Sequence, residues 1–192
     1  MPKKVDHRER RTQIADALMR VAAEQGLEAV SLRHVAAEAG VSAGMVQHYF
    51  RTKDEMMTFA MDVVKDRNEA RVTAAIAALG PDPDPRQLLR TFLGTLLPLG
   101  DDSRADGRVA LAFLAYKAVR PTTAPQLREE TAQMVSFLGS LLPGNDETAA
   151  AGLLALMEGL GMYLLGGQYT DEQALAALDT QLDRLFKATD RS

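Results

Sequence analysis

Residues 31 to 53, SLRHVAAEAGVSAGMVQHYFRTK, read as two short helices joined at a single glycine and closed by two aromatics. Ser31 can cap the first helix, whose apolar residues Leu32, Val35, Ala36 and Ala39 recur at three- and four-residue steps on one face. Gly40 then supplies a left-handed turn that other residues resist, and Ala36 is small enough to let the helices approach. Ser42 caps the second helix, in which Val46, Tyr49 and Phe50 return at helical spacing. Ala43, Gly44, Met45, Gln47 and His48 are left free to face a partner. This layout is that of a helix-turn-helix.

Charge is placed to match. The whole chain carries -4, which by itself argues against a polyanionic partner. Residues 1 to 53, however, hold nine Lys/Arg against six Asp/Glu, and the remainder holds 13 against 20. A basic head on an acidic body suits a protein that meets phosphates with one end, because the attraction is screened beyond about 10 Å at moderate salt.

Elsewhere helical periodicity is almost continuous, and no stretch alternates with the β-branched and aromatic content of strands, so an all-α fold of about nine helices is expected. A first helix over 7–25 puts Ile14, Leu18, Val21 and Ala22 on one face and ends at Gly26. Thr52 and Glu55 form a capping box for a fourth helix running to about Leu79, with Met56, Phe59, Val63 and Ile76 as its apolar positions. The run Gly80-Pro81-Asp82-Pro83-Asp84-Pro85 breaks the chain, and Asp84 and Pro85 suit the cap and first turn of the next helix. Further helices are expected near 85–99, 103–120, 123–142, 146–167 and 171–188, with breaks at Pro121, Pro125 and Pro143-Gly144 and a second capping box at Thr170 and Gln173. The division follows as a head over 1–53 and a body over 54–192.

The last two helices suggest association. Leu175, Leu178, Leu182 and Leu185 form a narrow seam, and Leu153, Leu156, Leu160 and Leu164 share one face of the preceding helix while Leu154, Met162 and Leu165 take the other. A helix apolar on two faces needs two partners: its own body and a second subunit across a two-fold axis, or two neighbours within one chain. The absence of cysteine fits a reducing cytoplasm. The apolar runs are interrupted by Arg90, Pro98 and Glu158, shorter than the ~20 residues of a membrane span, and the N-terminus lacks an apolar signal stretch, so neither membrane insertion nor secretion is expected.

Residues 12 to 57, TQIADALMRVAAEQGLEAVSLRHVAAEAGVSAGMVQHYFRTKDEMM, resemble the N-terminal pattern of TetR-family transcriptional regulators, most specifically in Tyr49-Phe50 before a short linker and Lys53. The remainder, with MEGL at 157–160 and TDEQALAALDTQLDRL from 170, is similar to the BetI-like subgroup. The resemblance implies a homodimer whose reading helices enter successive major grooves of a palindromic operator, roughly 35 Å apart, with a small-molecule site in the body. It implies that Ser31, Ser42, Tyr49 and Lys53 hold backbone phosphate, that Arg33 reaches phosphate or a base edge, and that Ala43, Gly44, Met45, Gln47 and His48 approach DNA. Many members carry an aromatic where this chain has Gln47, and a glutamine can pair twice with an adenine edge. The basic residues Lys3, Lys4, Arg8, Arg10 and Arg11 either add phosphate or minor-groove contacts or form a solvated terminus.

Other signals weigh less. Gly40-Val41-Ser42-Ala43-Gly44 matches a nucleophile elbow, but an elbow follows a buried strand and Ala36–Ala39 is helical; no enzyme is expected. His7, His34 and His48 lack metal-ligand spacing, and nothing in the chain calls for a cofactor. Phe92, Phe113, Tyr116, Met134, Phe137, Met157, Met162, Tyr163 and Tyr169 are either core or the lining of a cavity for a largely apolar effector. Glu158, four residues from both Leu154 and Met162, either reaches solvent or an arginine, or supplies a pocket carboxylate. The function expected is a ligand-responsive DNA-binding repressor, released by a small molecule. The alternative is an all-helical ligand-binding or interaction protein whose helix-turn-helix is non-functional.

Overall fold

The computed structural model describes residues 3–26, 29–119 and 124–187. Among them are nine α-helices, short 3-10 turns at Ala29 and at Pro143–Asn145, and no strand, as the periodicity demands. They are α1 (Lys3–Gln25), α2 (Leu32–Glu38), α3 (Ala43–Tyr49), α4 (Lys53–Ala77), α5 (Pro85–Leu96), α6 (Asp101–Ala118), α7 (Ala124–Leu141), α8 (Glu147–Leu165) and α9 (Asp171–Lys187).

Where boundaries differ from the sequence reading, local chemistry accounts for it. α1 begins at Lys3 rather than residue 7, since nothing in the basic stretch breaks a helix. α5 stops at Leu96 because Leu97 precedes Pro98 and is forced to extended ψ, 141°. α6 starts at Asp101 rather than 103, and the Gly100 N–H ahead of it donates to Ser103 Oγ at 2.8 Å. At the start of α4 the Glu55 N–H donates to Thr52 Oγ1 (3.1 Å), but the Glu55 carboxylate accepts from Arg51 N–H (2.9 Å) rather than from Thr52. The box before α9 is reciprocal: Gln173 N–H to Thr170 Oγ1 at 3.2 Å and Thr170 N–H to Gln173 Oε1 at 2.9 Å. The expected break at Pro121 lies outside the described residues.

Two compact units emerge. The first comprises Met1–Arg67 with Ala105–Tyr116, so it is not bounded at residue 53. The reason is continuity of packing: Met56, Met57, Ala60 and Val64 of α4 and Val109 of α6 join the core built from Ile14, Leu18, Val21, Val35, Val46 and Phe50. The same unit buries Asp106, and Arg67 spans two carboxylates, donating to Asp106 Oδ1 at 3.1 Å and Asp16 Oδ1 at 2.7 Å.

The second unit, Asn68–Arg104 with Lys117–Ser192, is built on leucines: Leu89, Leu93 and Leu97 near α5, Leu138 and Leu142 near α7, and Leu153, Leu160, Leu164, Leu178 and Leu182 of α8 and α9. Two arginines of α5 fix α9 beside it. Arg90 grips Asp179 with both ends of its fork, at 2.7 and 3.2 Å, and Arg86 Nε donates to Asp183 Oδ1 at 2.9 Å. Lys187, joined by Arg86, holds the Asp183 carboxyl below the usual range.

This packing corrects the expected subunit seam. Leu153, Leu160, Leu164, Leu178 and Leu182 are buried in the core of the second unit, and Leu156, Leu175 and Leu185 pack against it. The leucine steps record that a helix has a neighbour without saying which chain supplies it. α8 presents other residues outward: Ala151, Gly152, Ala155, Glu158, Met162 and Tyr163 are exposed. At 19 residues and a mean hydropathy of 1.5, α8 is long and apolar enough to cross a membrane, contrary to the sequence reading, yet only 28% of its apolar window is buried. Its inward face is core, and its outward face, apolar but for Glu158, is exposed among the described residues.

Candidate nucleic-acid interface

Both helices of the motif are capped by a serine at the N-terminus. Ser31 Oγ accepts from His34 N–H at 3.2 Å, and Ser42 Oγ accepts from Met45 N–H at 3.1 Å. α2 closes in a Schellman arrangement: Gly40 N–H donates to Ala37 O at 3.2 Å, and Val41 N–H donates to Ala36 O at 2.9 Å. Gly40 has φ +66°, the left-handed conformation the sequence requires of it. Ser42 is therefore a helix cap following a helix, and the strand an elbow needs is not there.

With Val46 and Phe50 fully buried, the opposite side of α3 faces outward. Ser42, Ala43, Gly44, Met45, Gln47 and His48 are all exposed, as is Arg33 of α2, while Ser31, Tyr49 and Lys53 are half-buried beside them. Met45, a large apolar side chain, stands 40% exposed, which costs free energy unless something covers it. A Cβ built on Gly44 would meet nothing nearer than Ser42 Oγ at 3.9 Å, so internal packing does not demand glycine there. The bare backbone instead lets an outside partner come close.

The basic N-terminal residues are not a loose tail. Arg8 pairs with Asp66 at 3.2 Å, and Arg10 donates to Gln13 at 2.9 Å. Arg11 is drawn inward: its guanidinium lies 4.7 Å from the Phe50 ring centroid and 4.3 Å from that of Phe59, and it meets Glu55 at 3.6 Å. For Arg11 both expectations, a DNA contact and a solvated terminus, give way to an internal tie between α1, the end of α3 and α4. The signal was present in the sequence, since Arg11 precedes Ile14 and Leu18 on the same helical face. The side chains of Lys3 and Lys4 lie outside the described residues.

The residues expected to line a ligand cavity are divided. Phe113 and Tyr116 pack against the first unit's core, where the Tyr116 hydroxyl donates to Asp54. In the second unit Phe92 packs against Phe137 with centroids 5.3 Å apart, and Met134 and Met157 flank the leucine core. Met162, Tyr163 and Tyr169 face outward, the two tyrosine rings 5.1 Å apart, and Glu158 is exposed rather than aimed into a pocket. The second unit holds a cavity of about 410 Å³, rimmed by Arg71, Arg90, Thr91, Thr95 and Ser103 over Leu97, Leu99 and Leu175.

A capped helix-turn-helix on a small first unit, followed by a helical second unit, is the build of a helix-turn-helix regulator. Residues 14–58 match the model of bacterial regulatory proteins of the tetR family, and residues 85–187 match that of the BetI-type transcriptional repressor C-terminal region. The chain belongs to the TetR family of bacterial transcriptional regulators, with a second unit of the BetI type. It is 37% identical over 116 residues to the regulator PksA of Bacillus subtilis, covering 60% of this chain and 55% of that protein. The match spans little more than half the length of the curated relatives. A transcriptional regulator from Rhodococcus sp. Rha1 is 36% identical in structure-based alignment, with a TM-score of 0.80 over 93% of this chain and 96% of that one. The multidrug binding protein EbrR, complexed with imidazole, is 32% identical with a TM-score of 0.59, covering 90% of this chain and 94% of that one.

Proposed function

We propose that the protein is a ligand-responsive, DNA-binding transcriptional repressor acting as a homodimer in the cytoplasm. The observation that carries the reading is α3 itself: a helix capped by Ser42 and buried through Val46, whose outward side exposes Met45, Gln47 and His48. Gln47 is assigned to direct base reading, because its amide can donate and accept on an adenine edge. Ser31, Ser42, Tyr49 and Lys53 are assigned to phosphate, Arg33 to phosphate or a base edge, and Ala43 and Gly44 to close approach.

Dimerisation is assigned to the outward face of α8. Ala151, Ala155, Glu158 and Met162 follow one another at helical spacing, with Gly152 and Tyr163 alongside, and small residues allow two such helices to approach. Pairing two copies across a two-fold axis would cover the apolar face left open and join two reading helices in one molecule, as a palindromic operator with half-sites roughly 35 Å apart requires. The small-molecule effector is assigned to the second unit, in keeping with the imidazole complex of EbrR. It releases DNA only if it binds one dimer geometry more tightly than the other.

Mobility shift of genomic fragments at low and rising salt tests the core of the reading. Retention at low salt with a steep salt dependence is expected, and no retained fragment would refute it. Within a selected operator, Gln47→Ala should cost about 1–3 kcal/mol against the cognate sequence and little against random DNA, whereas Lys53→Ala should weaken both alike.

A further inference from the structure

α1 brings a second imidazole to the reading helix. The His7 ring lies 4.7 Å, centroid to centroid, from Tyr49, with the planes tilted by 55°, and His48 meets the same tyrosine edge-on at 5.2 Å. Both histidines are exposed, and Tyr49 is half-buried between them. Packing on the phenol engages the faces and edges of the rings, and among the described residues no protein group hydrogen-bonds either imidazole. His34 differs: its Nδ1 sits 2.6 Å from Ala29 O, so its ring is tied to the backbone of the segment ahead of α2.

The surroundings favour an outside anion. On α1 the charged residues around His7 are Arg8, Glu9, Arg10 and Arg11, and α4 brings in Asp66, which pairs with Arg8 at 3.2 Å. On α2 they are Arg33 and Glu38, and beyond α3 they are Arg51, Lys53, Asp54 and Glu55. Of these carboxylates Glu38 takes Arg20 at 2.5 Å, Glu55 takes Arg11 at 3.6 Å, and Asp54 accepts from Tyr116. Among the described residues no carboxylate pairs with either imidazole, so an imidazolium here is matched by a phosphate brought from outside.

We propose that His7 is a further DNA-backbone contact, paired with His48 across the Tyr49 ring, and that the two imidazoles take up protons when DNA binds. This rests on the DNA-binding reading of α3. The sign follows from linkage. A nearby phosphate favours the charged imidazole, so each histidine holds its proton to higher pH in the complex than in free protein. The added affinity is present at low pH and is lost as pH rises through the value in the complex.

The test uses the full chain and a fluorescent random-sequence duplex of roughly 30 base pairs at low, constant ionic strength, because backbone contacts are independent of sequence. Binding should be roughly fivefold tighter for each participating histidine at about pH 6 than at about pH 8. His7→Phe retains a ring against Tyr49 and should weaken binding more at the lower pH than at the higher one. Combined with His48→Gln it should leave the affinity flat across the range, with circular dichroism reporting an unchanged fold. Equal wild-type affinity at both pH values, or a pH dependence that survives in the double variant, would overturn the proposal. Failure of the wild type to bind the duplex at any pH and low salt would sink the DNA-binding reading, and this inference with it.

Discussion

Leu178 and the outward face of α8 give opposite responses to substitution, and the contrast separates core from interface. Leu178 is fully buried in the second unit, so Leu178→Ala removes its transfer free energy and leaves a cavity, about 2–5 kcal/mol together. For a protein of this size, each kcal/mol lowers the melting temperature by about 2–4 °C, so a fall of roughly 4–20 °C is expected. Leu178→Asp adds a carboxylate with nowhere to hydrate, several kcal/mol more, which approaches the roughly 5–15 kcal/mol that holds a typical domain folded. A charged residue there unfolds the unit rather than dissociating subunits. Met162, 48% exposed, can become Glu with a change of only about ±0.5 kcal/mol in the isolated fold. Across a two-fold axis the new charge meets the partner's copy of itself or lies near it, so Met162→Glu should give monomers with native helicity and melting in the monomer range. Thermal melts by circular dichroism with sedimentation velocity on the same samples report both quantities. An unchanged melting temperature for Leu178→Ala would refute the burial argument. A dimer that persists in Met162→Glu would move the interface away from this face.

Two further substitutions test the reading head. Gly40→Ala forces a Cβ into a left-handed conformation at φ +66° with no steric clash to blame, so about 1–2 kcal/mol should be lost through the backbone alone, read from denaturant unfolding. Arg11→Met removes the cation from between Phe50 and Phe59 while keeping an apolar stem, and should destabilise by about 0.5–2 kcal/mol; a loss of DNA affinity without loss of stability would mean that Arg11 touches DNA after all.

The head was legible because its determinants are local. Ser31 and Ser42 each reach three residues ahead, Gly40 lies in a turn four residues long, and Val35, Ala36 and Val46 lie within a dozen positions of one another. Each of these could be read from spacing, and each is where the sequence placed it. Arg11 was misread for a different reason: a basic residue near a terminus suggested a solvated arm, while its alignment with Ile14 and Leu18 carried the correct message. Period outweighed composition there.

The second unit was harder because its helices are ambiguous in themselves. α8 alternates leucine with alanine and glycine all the way round, so periodicity offers two candidate inner faces and gives no reason to choose. What decides is long-range: α5 carries Arg86 and Arg90 into register with Asp183 and Asp179, some ninety residues on, which orients α9 and turns Leu178 and Leu182 inward. With α9 so placed, α8 must offer Leu153, Leu160 and Leu164 to the shared core and leave Ala151, Ala155 and Met162 outside. The charged pairs are half-exposed and individually worth little, about 0–1 kcal/mol each, so they select the face rather than supply the stability. The leucines hold the unit together, and the small residues they exclude from it form the face proposed for a second copy.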